Sequence, residues 1–199
     1  LSDLPLSIIE TILTLLPIRD AVRTSVLSSE WRYRWASIPE LVFSDSCVDI
    51  SPDRDIFEGR LINFITYALL LHQGPIHKLK ICSTVLHGHP VVDQWMLFFS
   101  RKDARELIVG LGGGGLVRAP SCLFACKSLT HLELSQYEVD PPFSFKGFPF
   151  LKTLILQEGS IAAEAVGSLI SNCPLLENLT LTSCHCVGGD QNICAPYIE

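Results

Sequence analysis

The sequence is poor in charge and has no concentrated basic segment. Only 18% of its 199 residues are Asp, Glu, Lys or Arg, and the formal net charge at pH 7 is -6. Nucleic-acid backbones and anionic membranes attract clustered Lys and Arg, so we expect neither as a partner. Hydrophobic residues make up 48% of the chain. This content excludes a disordered protein, because burying so much apolar surface offsets the entropy lost on ordering.

Long apolar runs and a secretory leader are also missing. The longest uncharged apolar stretch, at 61–77, contains polar residues and a Gly-Pro pair, and it is too interrupted to cross about 30 Å of hydrocarbon. The first residues lack a basic segment leading into an apolar one, so they do not resemble a signal peptide. We expect a cytoplasmic or nuclear protein. Residue 1 is Leu and the only methionine is Met96, so we expect the start of the protein to lie upstream.

Cysteine is not scarce, but its pattern favours free thiols. The chain has eight cysteines, yet a chain of this size and apolar content does not depend on disulfides. Three short clusters resemble metal ligands: HGH at 87–89, CLFAC at 122–126 and CHC at 184–186. A structural zinc site usually combines two close pairs of such ligands. We interpret the cysteines as reduced, buried thiols and expect no metal.

A repeated pattern of short strands organises the second part of the chain. Each unit has two apolar residues separated by one other residue, at Leu79/Ile81, Leu107/Val109, Leu132/Leu134, Leu154/Leu156 and Leu179/Leu181. The first members of these pairs recur at nearly regular intervals along the chain. Such alternation predicts strands, and a period of roughly 20 to 29 residues with an LxxLxL core is the leucine-rich-repeat signature.

The segments between these strands are suited to crossover connections. Apolar spacing predicts helices within 91–102 and 160–172, whereas 119–128 and 141–150 are shorter or broken by proline. Parallel strands need such crossovers, which are right-handed as a rule. The sequence therefore predicts an α/β solenoid with a parallel sheet. Cys184, which follows Leu181 closely, is expected to bond backbone groups at the end of the last strand.

The residues beside and between each inward pair are predicted to line the concave face of this sheet, which is the surface that solenoid proteins use for binding. The candidate target-binding residues are Lys78, Lys80, Glu106, Ile108, His131, Glu133, Thr153, Ile155, Asn178 and Thr180. Ile108 and Ile155 are the apolar members, and we interpret them either as partner anchors or as positions covered by another segment.

The stretch GLGGGG at 110–115 fits the GxGxxG pattern of dinucleotide-binding sites, with Glu133 at a suitable distance beyond it. Such a site needs a helix that opens at the glycines, but Pro120 and a short segment follow here. We interpret the glycines as a turn between two repeats and expect no cofactor. No Ser-His-Asp order or phosphate loop is present, so we expect that the chain is not an enzyme.

The segment at 1–41 predicts three short helices. Apolar residues recur at helical spacing between positions 4 and 16, Pro5 suits a first helical position, and Pro17 ends the helix. A second helix is expected from Ile18, and a third is expected to carry Trp31 and Trp35. So small a unit buries too little surface to be stable alone, and we expect part of its apolar surface to meet a partner.

These residues resemble the F-box. The stretch at 1–41 has Leu-Pro at its first helix, a proline before the second, and a Leu-Ser-x-x-Trp-Arg-x-x-Trp run at the third. Downstream, LLLHQGPIHKLKI, LFACKSLTHLEL, PPFSFKGFPFLKTLIL and CPLLENLTLTSC are similar to the repeats of the large plant group of F-box/leucine-rich-repeat proteins.

The resemblance implies the substrate-receptor subunit of a Skp-cullin-F-box ubiquitin ligase. The F-box would dock on the Skp adaptor and through it on cullin, and the repeats would bind an unknown target protein. The family's adaptor-facing positions correspond here to Leu4, Pro5, Ile9, Ile12, Val22, Leu27 and Trp31. Some of these are expected to pack the helices together instead. Ser7 and Glu30 depart from the usual acidic and basic residues. A protein-interaction scaffold without a ligase role is the alternative.

The resemblance divides the chain into an F-box at 1–45, a linker and capping helix at 46–75, and about five leucine-rich repeats at 76–199. The helix is predicted within 51–73, where it is expected to cover the first strand of the solenoid. The residues at 192–199 resemble the start of another unit, so we expect the repeats to continue beyond the last residue.

Overall fold

The computed structural model describes residues 5–29, 31–102 and 104–187. Its α-helices are α1 (Leu6–Leu15), α2 (Ile18–Arg23), α3 (Arg54–Leu71), α4 (Val91–Ser100) and α5 (Ala163–Asn172). Its strands are β1 (Glu40–Ser44), β2 (Lys78–Ser83), β3 (Glu106–Leu111), β4 (Val117–Arg118), β5 (His131–Ser135), β6 (Tyr137–Val139), β7 (Thr153–Gln157), β8 (Ser160–Ala162), β9 (Asn178–Thr182) and β10 (His185–Val187). The protein is therefore a mixed α/β protein.

A six-stranded parallel sheet forms the main layer, in the order β1-β2-β3-β5-β7-β9, which confirms the predicted parallel sheet. The register aligns the first apolar residue of every unit, so that Leu79 lies beside Leu107 and Leu107 beside Leu132. The inward pairs of β2, β3, β5 and β7 are at most 2% exposed. The inward pair of β9, Leu179 and Leu181, is only partly buried, since no strand of the described chain follows it in the sheet.

The sheet begins one strand earlier than the repeat pattern predicts. β1 pairs with β2, and its Leu41 and Phe43 are fully buried. Helix α3 therefore joins β1 to β2, which corrects its predicted position as a cap on the first strand. The carboxylate of Asp53 starts this helix by accepting the backbone N–H groups of Asp55 and Ile56, at 2.9 and 3.2 Å.

A second, smaller parallel sheet was not predicted. It contains the short strands β10-β8-β6-β4 in that order. Three times, the chain passes from a strand of the first sheet to a strand of the second through a short link. These links contain Gln136, Glu158 and Ser183, which are all in the left-handed region, with φ of 64°, 49° and 53°. The N–H of Gln136 donates to the carbonyl of Gln157, and the N–H of Glu158 donates to that of Thr182, both at 2.8 Å. These bonds join successive turns.

The predicted third helix of the amino-terminal unit is not confirmed: the described residues there form a turn and a short 3-10 helix. After α2 and a 3-10 turn at Thr24–Val26, the described residues from Trp31 continue through a turn into a second 3-10 helix, Arg34–Ser37. The N–H of Arg34 donates to the carbonyl of Trp31, and that of Ala36 donates to the carbonyl of Tyr33, which is the tighter pattern of short helical pieces. This geometry buries both Trp31 and Trp35, each 3% exposed.

Cys184 and the glycine stretch at 110–115, to which the sequence assigns structural roles, behave as predicted. Cys184 is buried, and its Sγ donates to the carbonyl of Leu156 at 3.2 Å, at the end of β7. The glycine stretch ends β3 and forms a turn into β4, so no helix opens there. A Cβ on Gly114 would lie 2.1 Å from the ring of His87, so this glycine lets the turn approach the preceding loop.

Candidate functional site

Helix α1 is apolar on two faces. One face, with Ile9 and Leu13, is buried in the core. The other face, with Ile8, Ile12 and Leu15 at positions i, i+4 and i+7, is turned outward: Leu15 is 80% exposed, Ile8 is exposed and Ile12 is half-buried. A helix that only packed on this fold would need one apolar stripe, so the second stripe needs a separate explanation.

The turn after α2 adds further exposed apolar side chains. Val26 is 87% exposed and Leu27 54% exposed. We refer to Ile8, Ile12, Leu15, Val26 and Leu27 together as the amino-terminal apolar set. Single exposed apolar residues are common on protein surfaces, but a concentration of large ones in so short a segment is typical of a surface that binds another protein.

The residues that the F-box resemblance assigns to the adaptor divide into three groups. Pro5 and Leu27 are exposed, and Ile12 and Val22 are half-buried. Ile9 and Trp31 are buried in the core. Leu4 lies outside the described residues, as does Glu30, while Ser7 is exposed.

The sequence prediction missed three members of the apolar set, Ile8, Leu15 and Val26. Their signal was present, because α1 carries more apolar positions than one buried stripe needs. Helical spacing alone does not say which of the two stripes faces the core.

The open face of the six-stranded sheet carries three rows of outward side chains. The first row is Glu40, Lys78, Glu106, His131, Thr153 and Asn178. The second is Val42, Lys80, Ile108, Glu133, Ile155 and Thr180. The third is Ser44, Cys82, Gly110, Ser135, Gln157 and Thr182. All ten candidate target-binding residues therefore lie on this face, in the first two rows.

Polar side chains approach one another on the open face in its first two rows. Lys78 Nζ lies 3.1 Å from Glu106 Oε2 on the next strand, and His131 Nε2 lies 3.9 Å from Glu133 Oε2. Ile108 is only 9% exposed, less than its outward position predicts, because Lys80 and Glu133 flank it on the neighbouring strands. Ile155 is half-buried.

A pocket of about 440 Å³ lies at the carboxyl ends of the strands, over the second and third rows. Ile108, Gly110, Glu133 and Ser135 line it, and Asp45 stands at its side. The carboxylate of Asp45 accepts three hydrogen bonds that fix it: from Ser83 Oγ at 2.6 Å, from Thr84 Oγ1 at 2.7 Å and from the N–H of Thr84 at 3.1 Å.

Within the described ranges, the cysteines at 47, 82, 122, 126 and 173 are free thiols. Burial raises the pKa of Cys126 to about 12, so this thiol stays protonated and is a poor nucleophile or metal ligand. No group of three or more His, Cys, Asp or Glu side chains in the described part of the chain is placed to hold a metal ion. None of the helices in those residues is long and apolar enough to cross a membrane.

Comparison with known proteins gives one family match for the amino-terminal part of the chain and one for the part that carries the repeated strands. Residues 1–42 match the F-box domain, and residues 92–196 match the family described as FBD-associated F-box protein At5g56370, LRR repeats. Over 182 residues the chain is 54% identical to the F-box/FBD/LRR-repeat protein At1g13570 of Arabidopsis thaliana, covering 92% of this chain and 44% of that protein.

Other relatives from Arabidopsis thaliana show the same relation at lower identity. The FBD-associated F-box protein At5g22730 is 35% identical over 185 residues, which cover 91% of this chain and 39% of that protein. The FBD-associated F-box protein At5g56370 is 34% identical over 194 residues, with 92% and 43% covered. The chain thus spans less than half the length of these relatives. Since the LRR model covers more than half of the chain and the F-box model precedes it, the chain belongs to the F-box/FBD/LRR-repeat family.

Proposed function

We propose that this protein is the substrate-receptor subunit of a Skp-cullin-F-box ubiquitin ligase. Its F-box docks on a Skp-type adaptor and through it on cullin, and its leucine-rich repeats form a solenoid whose open face binds a target protein. The protein itself performs no catalysis; it brings the target to the ligase. The observation that carries this proposal is the second apolar stripe of α1, which lies within the matched F-box and is left exposed by the described part of the fold.

The amino-terminal apolar set supplies part of the free energy of an adaptor complex. Full burial of a leucine side chain contributes about 1.5 to 3 kcal/mol, and Leu15 and Leu27 have 80% and 54% of their surface still exposed. Burying both against an adaptor would contribute on the order of 2 to 4 kcal/mol. Ile9 and Trp31 act indirectly in this proposal, because they are buried and hold α1 against the Arg34–Ser37 turn.

Target binding is assigned to the open face of the sheet because its outward side chains differ from strand to strand. Val42, Ile108 and Ile155 alternate with Lys80 and Glu133 along the second row. The fold does not require this pattern, since these positions are on the face of the sheet opposite the inward pairs. A protein partner can recognise this mixture of apolar and charged side chains through complementary contacts.

The test is co-purification of a Skp adaptor and cullin with the protein, using matched leucine variants. Leu15→Ala with Leu27→Ala removes two exposed leucines from the apolar set. Leu70→Ala with Leu71→Ala removes two exposed leucines from α3, outside the F-box match. We expect the first pair to weaken adaptor binding by about 30-fold or more, which corresponds to the lower end of the energy above. The control pair should bind as the wild type does.

Three outcomes separate the alternatives. The receptor function is supported if the wild type and the control variant retain both adaptor and cullin, and the variant with Leu15→Ala and Leu27→Ala loses them. An adaptor bound without cullin favours the interaction scaffold. Absence of adaptor binding by the folded wild-type protein contradicts both the docking surface and the ligase role.

A further inference from the structure

The pocket at the carboxyl ends of the strands is lined by a glycine that the fold does not require. This residue, Gly110, lies in the middle of the third row between Cys82 and Ser135. A Cβ at Gly110 would lie 3.7 Å from Cys82 Sγ and 3.8 Å from Ser135 Cβ, which is ordinary van der Waals contact. The strand would thus accept alanine without strain. Glycine inside a strand weakens it and often marks a place where a ligand approaches the backbone closely.

The charge that faces this pocket is negative. Glu133 lines it with a carboxylate, and His131 Nε2 lies 3.9 Å from that carboxylate. Asp45 stands at the side, with its oxygens occupied by Ser83 and Thr84. Burial raises the pKa of the Cys82 thiol, which therefore adds no charge. No Lys or Arg lines the pocket among the described residues; Lys80 lies beyond Ile108 in the second row.

Apolar surface and charge are adjacent in the pocket. Ile108 lies directly beside Glu133 across the strand pair, so an aliphatic side chain and a carboxylate meet within one strand spacing, about 4.8 Å. Lysine and arginine side chains are complementary to this arrangement, since their methylene stems pack on apolar surface while the charged head reaches a polar partner. A carboxylate then forms the stronger, charge-assisted hydrogen bond.

We propose that this pocket binds a lysine or arginine side chain of the target protein, with Glu133 pairing the cationic head and Ile108 contacting the stem. The proposal rests on the proposed function only in placing the target on the open face. It specifies the chemistry of the target: a segment with a basic residue that crosses the carboxyl ends of the strands.

The test titrates the isotope-labelled protein with N-acetyl-arginine amide and with N-acetyl-citrulline amide, which has nearly the same shape without the charge. We expect the arginine derivative to shift the backbone amide signals of Gly110 and Ser135 saturably, and to bind at least fivefold more tightly than the citrulline derivative. Glu133→Gln should abolish this preference. Glu40→Gln is the matched control, because it removes the same charge from the first row of the same face outside the pocket, and it should leave the preference unchanged.

Gly110→Val tests the shape of the pocket independently of its charge. Valine suits a strand but fills part of the pocket, so the variant should fold and bind the arginine derivative at least fivefold more weakly. Equal binding of the two derivatives, or an unchanged preference in Glu133→Gln, overturns the proposal. Adaptor capture measured on the same samples keeps the two hypotheses apart: its loss with an intact arginine preference contradicts the receptor function alone.

Discussion

Gly147 provides a direct test of how the outer loops are held. It lies in the loop between β6 and β7 with φ of +86°, and a Cβ there would be 1.9 Å from the carbonyl oxygen of Asn172, the last residue of α5. The left-handed conformation costs a non-glycine residue about 1 to 2 kcal/mol. Relieving the contact with backbone costs about 1 to 3 kcal/mol more. Gly147→Ala should therefore lower the free energy of unfolding by about 2 to 5 kcal/mol.

The loss should be large because the loop carries part of the core. Phe148, next in the chain, is buried, its N–H donates to Cys173 Sγ at 3.3 Å, and its ring lies 4.8 Å from that of Phe145. Moving the loop away from α5 disturbs these contacts together. The measurement is urea-induced unfolding followed by circular dichroism, with the slope of the transition checked against the wild type.

Gly59→Ala is the control for this experiment. Gly59 lies inside α3 with nothing within 4 Å of the added Cβ, so alanine should stabilise the protein by about 0.5 to 1 kcal/mol. If Gly147→Ala unfolds at the same urea concentration as the wild type, the close packing of the loop on α5 is wrong.

The parts of the fold that could be predicted are those with a regular period. Five strands of the main sheet were identified because their inward apolar pairs recur with the period of leucine-rich repeats. β1 was missed because α3 lies between Leu41 and Leu79 and lengthens their separation beyond that period. The second sheet was missed because its strands are very short, so that no alternation is visible along them.

The sites were predictable in composition but not in arrangement. The outward residues of the sheet follow from alternation along each strand, so all ten candidates lie on one face. The pocket was not predictable, because Ser44, Gly110 and Gln157 come from different strands and meet only through the register. On α1, spacing identified the apolar residues, but which stripe is buried depends on packing against Trp35 and its neighbours, which no local pattern encodes.

Two further predictions concern stability. Ser183 has φ of 53° and an exposed side chain, so Ser183→Gly should raise the free energy of unfolding by up to about 1 kcal/mol and Ser183→Val should lower it; the reverse order in urea unfolding would contradict the left-handed turn. His72 is buried between α3 and the Arg34–Ser37 turn, with its Nε2–H donating to the carbonyl of Ile38 at 2.9 Å. Burial, assisted by the nearby charge of Lys102, lowers the pKa of His72 in the folded state. The unfolded chain then binds more protons below about pH 6.5, so stability should fall as the pH drops through that value toward the folded pKa. His72→Gln should remove this part of the pH dependence, whereas His77→Gln, at an exposed position, should keep it. The measurement is the free energy of unfolding between pH 7.5 and 5. Parallel curves for the wild type and His72→Gln would show that His72 does not titrate as its burial requires.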